Sequence, residues 1–235
     1  KITGASFDEN IEENLVVRAI RLFEKETGKK VSLDVFLEKH VPSQSGLGGG
    51  SANAAGTLIV LNHMFRNSLK SEGLLPSKSI YMMALELGSD VPFFIKPSPC
   101  EIYGRGEKIK PLKKYPKFYV IIIKPDISIS TAASYKNCNP LELNSFPVVS
   151  SFLELRTNLN NQFETSLLPQ YPILSELKSL LLKNGAFGAL VCGSGSAVFG
   201  IYKEKNNQNQ ALKKLSCLQI GKIFSCETLS SYRYF

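Results

Sequence analysis

P-S-Q-S-G-L-G-G-G-S-A-N-A-A-G, from Pro42 to Gly56, is the stretch that decides the interpretation of this chain. Its three consecutive glycines lead into an apolar pattern at helical spacing, formed by Leu58, Leu61 and Phe65. Glycine lets the backbone approach a ligand closely. The first N–H groups of a helix point at the preceding loop, where the helix dipole favours negative charge. The stretch therefore predicts a phosphate-binding loop, although a flexible turn would use the same glycines.

The loop differs from two common nucleotide-binding motifs. A Walker A loop needs G-x-x-x-x-G-K followed by Ser or Thr, and this chain has no Gly-Lys-Ser or Gly-Lys-Thr sequence. A dinucleotide-binding fingerprint spaces its glycines within a βαβ unit, whereas the glycines here are contiguous and no such pattern surrounds them.

Three further stretches accompany the loop along the chain. They are N-L-V-V-R-A from Asn14, L-G-S-D-V-P-F-F from Leu87, and G-S-G-S-A-V-F-G from Gly193. In this order and approximate spacing, the four stretches resemble the GHMP kinases, the family of galactokinase, homoserine kinase, mevalonate kinase and phosphomevalonate kinase. Within that family they are most similar to the members that phosphorylate 4-diphosphocytidyl-2-C-methyl-D-erythritol in non-mevalonate isoprenoid biosynthesis.

The resemblance implies an α+β fold with two domains. Residues 1–114 are expected to form an ATP-binding domain similar to ribosomal protein S5 domain 2, and residues 115–235 a ferredoxin-like domain. Hydrophobic periodicity predicts a helix that starts after Asn10 and ends at Gly28, and a second that ends near Phe65. Further helices are predicted over 79–87, 172–183 and 208–215, and strands over 31–37, 118–124, 189–191, 197–202 and 220–225. Residues 66–77 are expected to form a long connecting loop, and residues 103–107 a turn between two strands.

The same resemblance implies ATP-dependent phosphorylation of an alcohol, with ATP and Mg²⁺ as cofactors, and it assigns site residues. Expected ATP contacts are Asn14, Lys39, Pro42, Ser43, Gln44, Ser45, Gly46, Leu47, Gly48, Gly49, Gly50, Ser51, Ala52 and Asn53. Expected substrate contacts are Thr131, Gly193, Ser194 and Gly195. Ser51 is a plausible Mg²⁺ ligand, since loop hydroxyls hold this ion in other nucleotide enzymes.

Asp90 is the candidate catalytic base, because a carboxylate can accept the proton of an attacking hydroxyl during phosphoryl transfer. Local roles compete for each of these residues. Asp90 could cap a turn, Asn14 could be a polar surface residue, hydroxyls at 128–131 could cap the next helix, and the glycines at 193–195 could belong to a hairpin.

Three features depart from the family pattern. Gln44 stands where the family usually has glycine, and Cys192 where it usually has serine, which questions any hydroxyl contact there. The chain starts at Lys1 without the family's first strand, its lysine beside the catalytic aspartate, and the aromatic and histidine residues that hold cytidine. We therefore expect this chain alone to be a poor enzyme.

The bulk composition is that of a globular protein, with 43% hydrophobic and 20% charged residues among 235. No apolar run reaches the roughly 18 residues of a membrane span. Five scattered cysteines without a C-x-x-C pair indicate free thiols and a cytoplasmic location. His40 and His63 are too few to suggest a metal cluster.

The net charge of +8 leaves a nucleic-acid-binding module open as an alternative. We expect the densest basic cluster to be a solvated face rather than such a surface. Its members are Lys108, Lys110, Lys113, Lys114 and Lys117. Another GHMP kinase, of the homoserine or phosphomevalonate type, and a non-catalytic ATP-binding regulator also remain open. The sequence does not separate a monomer from a homodimer.

Overall fold

The computed structural model describes residues 2–4, 11–66, 77–112, 115–139 and 152–229. These residues divide into two compact units. The first contains the described residues up to 43 and from 48 to 112, and the second contains residues 44–47 and those from 115 to 229. Residues 44–47 of the glycine-rich stretch from Pro42 to Gly56 thus belong to the second unit. The assignment of residues 1–114 and 115–235 to two family domains stays a prediction.

The first unit combines helices with two small sheets. Strand β1 (Ile2–Gly4) pairs in parallel with β2 (Val35–Leu37), and β3 (Cys100–Tyr103) pairs antiparallel with β4 (Lys108–Pro111). The helices are α1 (Leu15–Thr27), preceded by a 3₁₀ turn at Ile11–Glu13, α2 (Gly49–Met64), α3 (Ser77–Leu87) and α4 (Val91–Ile95).

The core of the first unit lies where α1, α2, α3 and α4 meet. Phe23, Leu58, Ala84 and Val91, one from each helix in that order, are all completely buried. Since each apolar position follows the 3.6-residue period of its own helix, one continuous core results.

Two predicted boundaries in the first unit are wrong. The helix predicted to start after Asn10 starts at Leu15, because the side chain of Asn14 accepts a hydrogen bond from the Val16 N–H and caps it there. Asn10 itself lies outside the described residues. The predicted strand at 31–37 is shortened to β2, because only its last three residues pair with β1.

The second unit is built on one antiparallel sheet in the order β6-β7-β5-β8. Its strands are β5 (Tyr119–Lys124), β6 (Gly188–Val191), β7 (Val198–Tyr202) and β8 (Lys222–Glu227). Its helices are α5 (Thr131–Asn137), α6 (Phe152–Asn158), α7 (Glu164–Gln170), α8 (Pro172–Lys183) and α9 (Lys205–Leu215). Helices α5 to α8 connect β5 to β6, and α9 connects β7 to β8. This βαββαβ order confirms the predicted ferredoxin-like arrangement.

Burial in the second unit alternates along its central strand β5. Ile121 and Ile123 are completely buried, whereas Val120 and Ile122 between them are only partly buried. The strand is apolar without interruption from Tyr119 to Ile123, but successive side chains of a strand point to opposite faces. The buried face packs with Leu174 and Leu181 of α8 in one core.

The remaining predictions hold to within a few residues. The helix at 172–183 is confirmed as α8, and the helices at 79–87 and 208–215 are confirmed with earlier starts, as α3 and α9. The predicted loop at 66–77 lies largely outside the described residues. Within the described ranges, no helix is both long and apolar enough to cross a membrane.

Candidate functional site

Helix α2 begins inside the run of three glycines. Gly48 is its N-cap, with a φ of +70°, and its carbonyl accepts the first helical hydrogen bond, from the Ala52 N–H at 2.9 Å. The N–H groups of Gly49, Gly50 and Ser51 have no acceptor among the described residues. Three free donors at the positive end of a 16-residue helix form a suitable site for a phosphate.

These glycines are packed tightly, which a flexible turn would not require. A Cβ on Gly48 would lie 3.0 Å from the ring of Phe94, and a Cβ on Gly49 would lie 3.0 Å from Val41. Neighbouring side chains therefore occupy the space that larger residues at these positions would need. The glycines keep the first turn of α2 narrow.

Asp90 directly precedes α4, in the same unit as α2. Its side chain is exposed and makes no capping hydrogen bond, so the capping role considered from the sequence is absent. No other hydrogen bond or ion pair holds this carboxylate within the described part of the chain. Phe94, four residues later, is the ring that lies against Gly48, so α4 lies close to the start of α2.

The backbone beside Asp90 is held by the turn of the β3–β4 hairpin. Gly106 in that turn has a φ of +107°, and a Cβ there would lie 1.9 Å from the carbonyl oxygen of Ser89. The hairpin backbone therefore contacts the residue directly before the candidate base. The sequence predicted this turn but gave no sign of the contact.

Residues 44–46 pack within the second unit against the second glycine loop, which we define as residues 192–197. The carbonyl of Gln44 accepts from the Ser196 N–H at 3.2 Å, and that of Ser45 accepts from the Ala197 N–H at 3.1 Å. A Cβ on Gly46 would lie only 1.8 Å from the carbonyl oxygen of Cys192. The structure thus brings together two glycine-rich stretches that are far apart in the sequence.

The second glycine loop presents free N–H groups of its own. The Gly195 N–H donates to the Cys192 carbonyl at 2.8 Å, which closes a tight turn. The N–H groups of Gly193 and Ser194 have no acceptor among the described residues. The Ser194 hydroxyl donates to that of Thr131 at 3.2 Å, so two predicted substrate contacts are neighbours.

Cys192, at the start of the second glycine loop, carries a buried thiol. It is 7% exposed, and burial raises the pKa of its thiol to about 12. The side chain is therefore a neutral, inward-facing thiol, and the loop uses the main chain of this residue for its hydrogen bonds.

Other predicted site residues are placed as follows. Asn14 caps α1, as described above. Lys39 is exposed, Ser45 is buried, and Ser51, Ala52 and Asn53 are partly buried in the first turns of α2. The hydroxyl of Ser130 caps α5 by accepting from the Ala133 N–H at 3.4 Å, so the capping role considered for hydroxyls at 128–131 belongs to this serine.

Two side chains to which sequence reasoning gave no role contact the second glycine loop. Asn161 and Glu164 both bond to the backbone of Val191, and Asn161 also bonds to Gly193. The stretch that contains them resembles a short helix of the family's second domain, and nothing in it indicated these contacts. Among the described residues, no group of three or more His, Cys, Asp or Glu side chains is arranged to hold a metal ion.

Comparison with known proteins identifies two family domains in the chain. The GHMP kinases N terminal domain matches residues 14–97, and the GHMP kinases C terminal domain matches residues 148–219. The first match covers α2 and Asp90, and the second covers the second glycine loop.

Curated relatives match most of the chain. A 4-diphosphocytidyl-2-C-methyl-D-erythritol kinase of Thermodesulfovibrio yellowstonii is 35% identical over 215 residues, which is 86% of this chain and 73% of that protein. A kinase of the same name from Syntrophus aciditrophicus is 36% identical, over 85% of this chain and 71% of that protein.

Solved structures share the fold. A crystal structure of 4-(cytidine 5'-diphospho)-2C-methyl-D-erythritol kinase is similar with a TM-score of 0.75 and 25% identity, over 97% of this chain and 81% of that one. Homoserine kinase from Cytophaga hutchinsonii also has a TM-score of 0.75, over 98% of this chain and 82% of that one. Its 16% identity indicates a common fold alone.

Proposed function

Because this chain belongs to the GHMP kinase family, we propose that it transfers the γ-phosphoryl group of ATP to the 2-hydroxyl of 4-diphosphocytidyl-2-C-methyl-D-erythritol, a step in isoprenoid precursor synthesis. The observation that carries this proposal is the 35% identity, over 86% of the chain, with a relative that bears this kinase name. The free N–H groups at the start of α2 support it independently, because they suit a polyphosphate.

ATP binds, in this proposal, through the main chain of the glycine loop. The N–H groups of Gly49, Gly50 and Ser51 donate to phosphate oxygens, and residues 42–48 and 52–53 complete the contacts. Asn14 and Lys39 contact the nucleoside side of ATP. Phosphoryl transfer relies mainly on positioning and charge stabilisation, for which backbone donors fixed by packing are well suited.

Asp90 acts as the general base. Its carboxylate accepts the proton of the substrate hydroxyl as that oxygen bonds to the γ-phosphorus and the bond to the ADP oxygen breaks. The exposed carboxylate without a partner among the described residues supports this role, because no existing hydrogen bond must be broken first. Thr131, Gly193, Ser194 and Gly195 contact the substrate.

The residues present could hold a magnesium ion to which the protein contributes a single ligand. Mg²⁺ bound to nucleotides usually takes most of its ligands from phosphates and water. Ser51 would hold it, since its hydroxyl is partly buried in the first turn of α2 and has no hydrogen bond within the described residues. When bound, the ion neutralises charge on the β- and γ-phosphates.

The charge distribution weighs against the nucleic-acid alternative. In the basic cluster, Lys110 forms an ion pair with Glu101 at 3.0 Å, and Lys117 forms one with Glu227 at 3.2 Å. Part of the cluster is therefore neutralised, which favours a solvated face. A kinase of the homoserine or phosphomevalonate type remains the alternative, and a homoserine kinase shares the fold.

ADP release by the full-length protein tests the proposal. ATP and Mg²⁺ are kept saturating, and 4-diphosphocytidyl-2-C-methyl-D-erythritol is compared with homoserine as acceptor. We expect turnover with the first acceptor alone. Asp90→Asn should lower kcat by about 10²- to 10⁴-fold, the usual contribution of a general base. Asp34→Asn, which changes an exposed aspartate of the same unit, is the matched control.

Each other outcome has a definite meaning. Full activity in Asp90→Asn would show that this residue is not the base. ATP binding without ADP release on either acceptor would favour the regulator, and turnover of homoserine alone would reassign the substrate.

A further inference from the structure

We propose that Asn161 is a positioning residue, supported by Glu164, which fixes the second glycine loop so that its Ser194 N–H group can donate to a phosphate during transfer. The proposal rests on the kinase activity proposed above. Neither residue needs to touch the substrate, because both act on the backbone of the loop.

Asn161 uses its whole side chain to hold this backbone. Its Nδ2 donates to the carbonyl oxygens of Val191 at 2.9 Å and of Gly193 at 2.8 Å. Its Oδ1 accepts from the Phe163 N–H at 3.1 Å, which fixes the orientation of the amide. One side chain thus fastens two carbonyls of the strand end and the loop, about thirty residues away in the sequence.

Glu164 holds the same strand end through the N–H group of Val191. Its Oε1 accepts from the Val191 N–H at 2.7 Å, while its Oε2 bonds to the ammonium group of Lys178 on α8. Both side chains are largely buried, with 13% exposed for Glu164 and 19% for Lys178. The ion pair therefore keeps the carboxylate in place against Val191, where a charge-assisted hydrogen bond is short and strong.

These contacts determine where the free donors of the loop point. In a planar trans peptide, the carbonyl and the following N–H point in opposite directions. Because Asn161 binds the Gly193 carbonyl, the Ser194 N–H points away from Asn161. The buried Ser134 hydroxyl lies 3.1 Å from the Ser194 carbonyl and restrains the next peptide. The N–H groups of Gly193 and Ser194, which lack acceptors among the described residues, are left for an anion.

The second glycine loop also contacts residues 44–46, which belong to the stretch from Pro42 to Gly56. The peptides of Ser196 and Ala197 donate to Gln44 and Ser45, and the Cys192 carbonyl lies against Gly46. Asn161 binds the carbonyls on both sides of Cys192. A displaced second glycine loop would therefore also disturb residues 44–46.

Asn161→Asp is the sharpest test, because it keeps the shape of the side chain but places a carboxylate against two carbonyl oxygens. The matched control is Asn158→Asp, since among the described residues the Asn158 amide bonds only within residues 154–158. We measure kcat, KM for ATP and for the acceptor, the urea unfolding midpoint, and amide hydrogen exchange in residues 191–196. Asn161→Ala, which adds no charge, is assayed in parallel in case the carboxylate prevents folding.

We expect kcat of Asn161→Asp to fall by about 100-fold, as for a displacement of about 1 Å at a reacting group. The KM for ATP should rise, because residues 44–46 move with the loop, whereas the KM for the acceptor should change by less than about threefold. Exchange in residues 191–196 should rise by about tenfold. The Asn158→Asp variant should match the wild-type protein. A wild-type kcat in folded Asn161 variants would overturn the proposal. So would a loss of activity that merely follows the fraction of unfolded protein.

The exchange measurement separates this inference from the proposed function. If the wild-type protein phosphorylates no acceptor, the proposed function fails. Faster exchange in residues 191–196 of Asn161→Asp would then still support the control of the loop by Asn161, and unchanged exchange would refute it.

Discussion

Gly106→Ala tests whether the hairpin contact at Ser89 determines the position of Asp90. The new Cβ would lie 1.9 Å from the Ser89 carbonyl oxygen, whereas real Cβ contacts are essentially never under 3.0 Å. Because backbone lies on both sides, one of them must move by about 1 Å. A shift of that size at a catalytic group costs up to about 100-fold in rate. We therefore expect kcat to fall by about 10- to 100-fold.

Because Gly106 has a positive φ, alanine at this position also lowers stability through backbone strain. The control variant must carry the same strain. A side chain at such an angle costs about 1–3 kcal/mol of stability wherever it occurs. Gly28 has a φ of +66° with no atom within 4 Å of its Cβ position, so Gly28→Ala carries the strain without the clash. Both variants should lower the urea midpoint, but only Gly106→Ala should lower kcat.

Steady-state ADP release and calorimetric ADP binding distinguish the possible results for Gly106→Ala. The affinity for ADP should change by less than about threefold, because the N–H groups of α2 are not displaced. Equal kcat values in folded Gly106→Ala and Gly28→Ala would refute the reasoning. A loss of ADP affinity that accounts for the whole effect would also refute it.

Three further results are expected. Gly46→Ala should weaken calorimetric ADP binding by at least about tenfold, because its Cβ would collide with the Cys192 carbonyl; Gly185→Ala, at φ +89° with open space, should not. Tyr202→Phe should raise the free energy of unfolding in urea by about 1 kcal/mol, since this buried hydroxyl has no partner within the described residues; a loss of stability would reveal a missed partner. Burial raises the pKa of Cys192 from 9.0 to about 12, so the native thiol keeps a proton that the unfolded chain releases. The stability that the neutral thiol contributes is complete below pH 9, and the free energy of unfolding falls by up to about 4 kcal/mol as the pH rises towards 12. In Cys192→Ala the free energy of unfolding should fall less steeply over this range. An equally steep fall in this variant would contradict the assignment.

The features that the sequence predicted well depend on neighbouring residues. Helix α8 follows from its own apolar period and from Pro172 at its first position. The start of α2 follows from the run of glycines inside which the helix begins. The strand predicted at 118–124 is confirmed as β5, although its alternating burial depends on which face the helices cover.

The features that the sequence missed depend on residues brought together by folding. The neighbours of Asn161 in the sequence give no sign that its amide binds the Val191 carbonyl, because the two residues meet only when the segment between them folds. The sequence indicates only a turn glycine at Gly106, and its contact with Ser89 is seen only in the structure. The start of α1 was misplaced because Asn10 and Asn14 are equally suitable caps by residue type, and their surroundings decide between them.

At Gln44 and Cys192, where the chain departs from the family pattern, both residues contribute main-chain hydrogen bonds to the loops. The Gln44 carbonyl accepts from Ser196, and the Cys192 peptide bonds to Ala197 and Gly195. Gln44 has a φ of +50°, a conformation that glycine adopts at no cost and other residues at about 1–2 kcal/mol. Replacing the family's glycine with glutamine therefore costs some stability but removes none of these hydrogen bonds. The position where a side chain cannot be accommodated is Gly46, because its Cβ would lie 1.8 Å from the Cys192 carbonyl oxygen, and this chain retains glycine there.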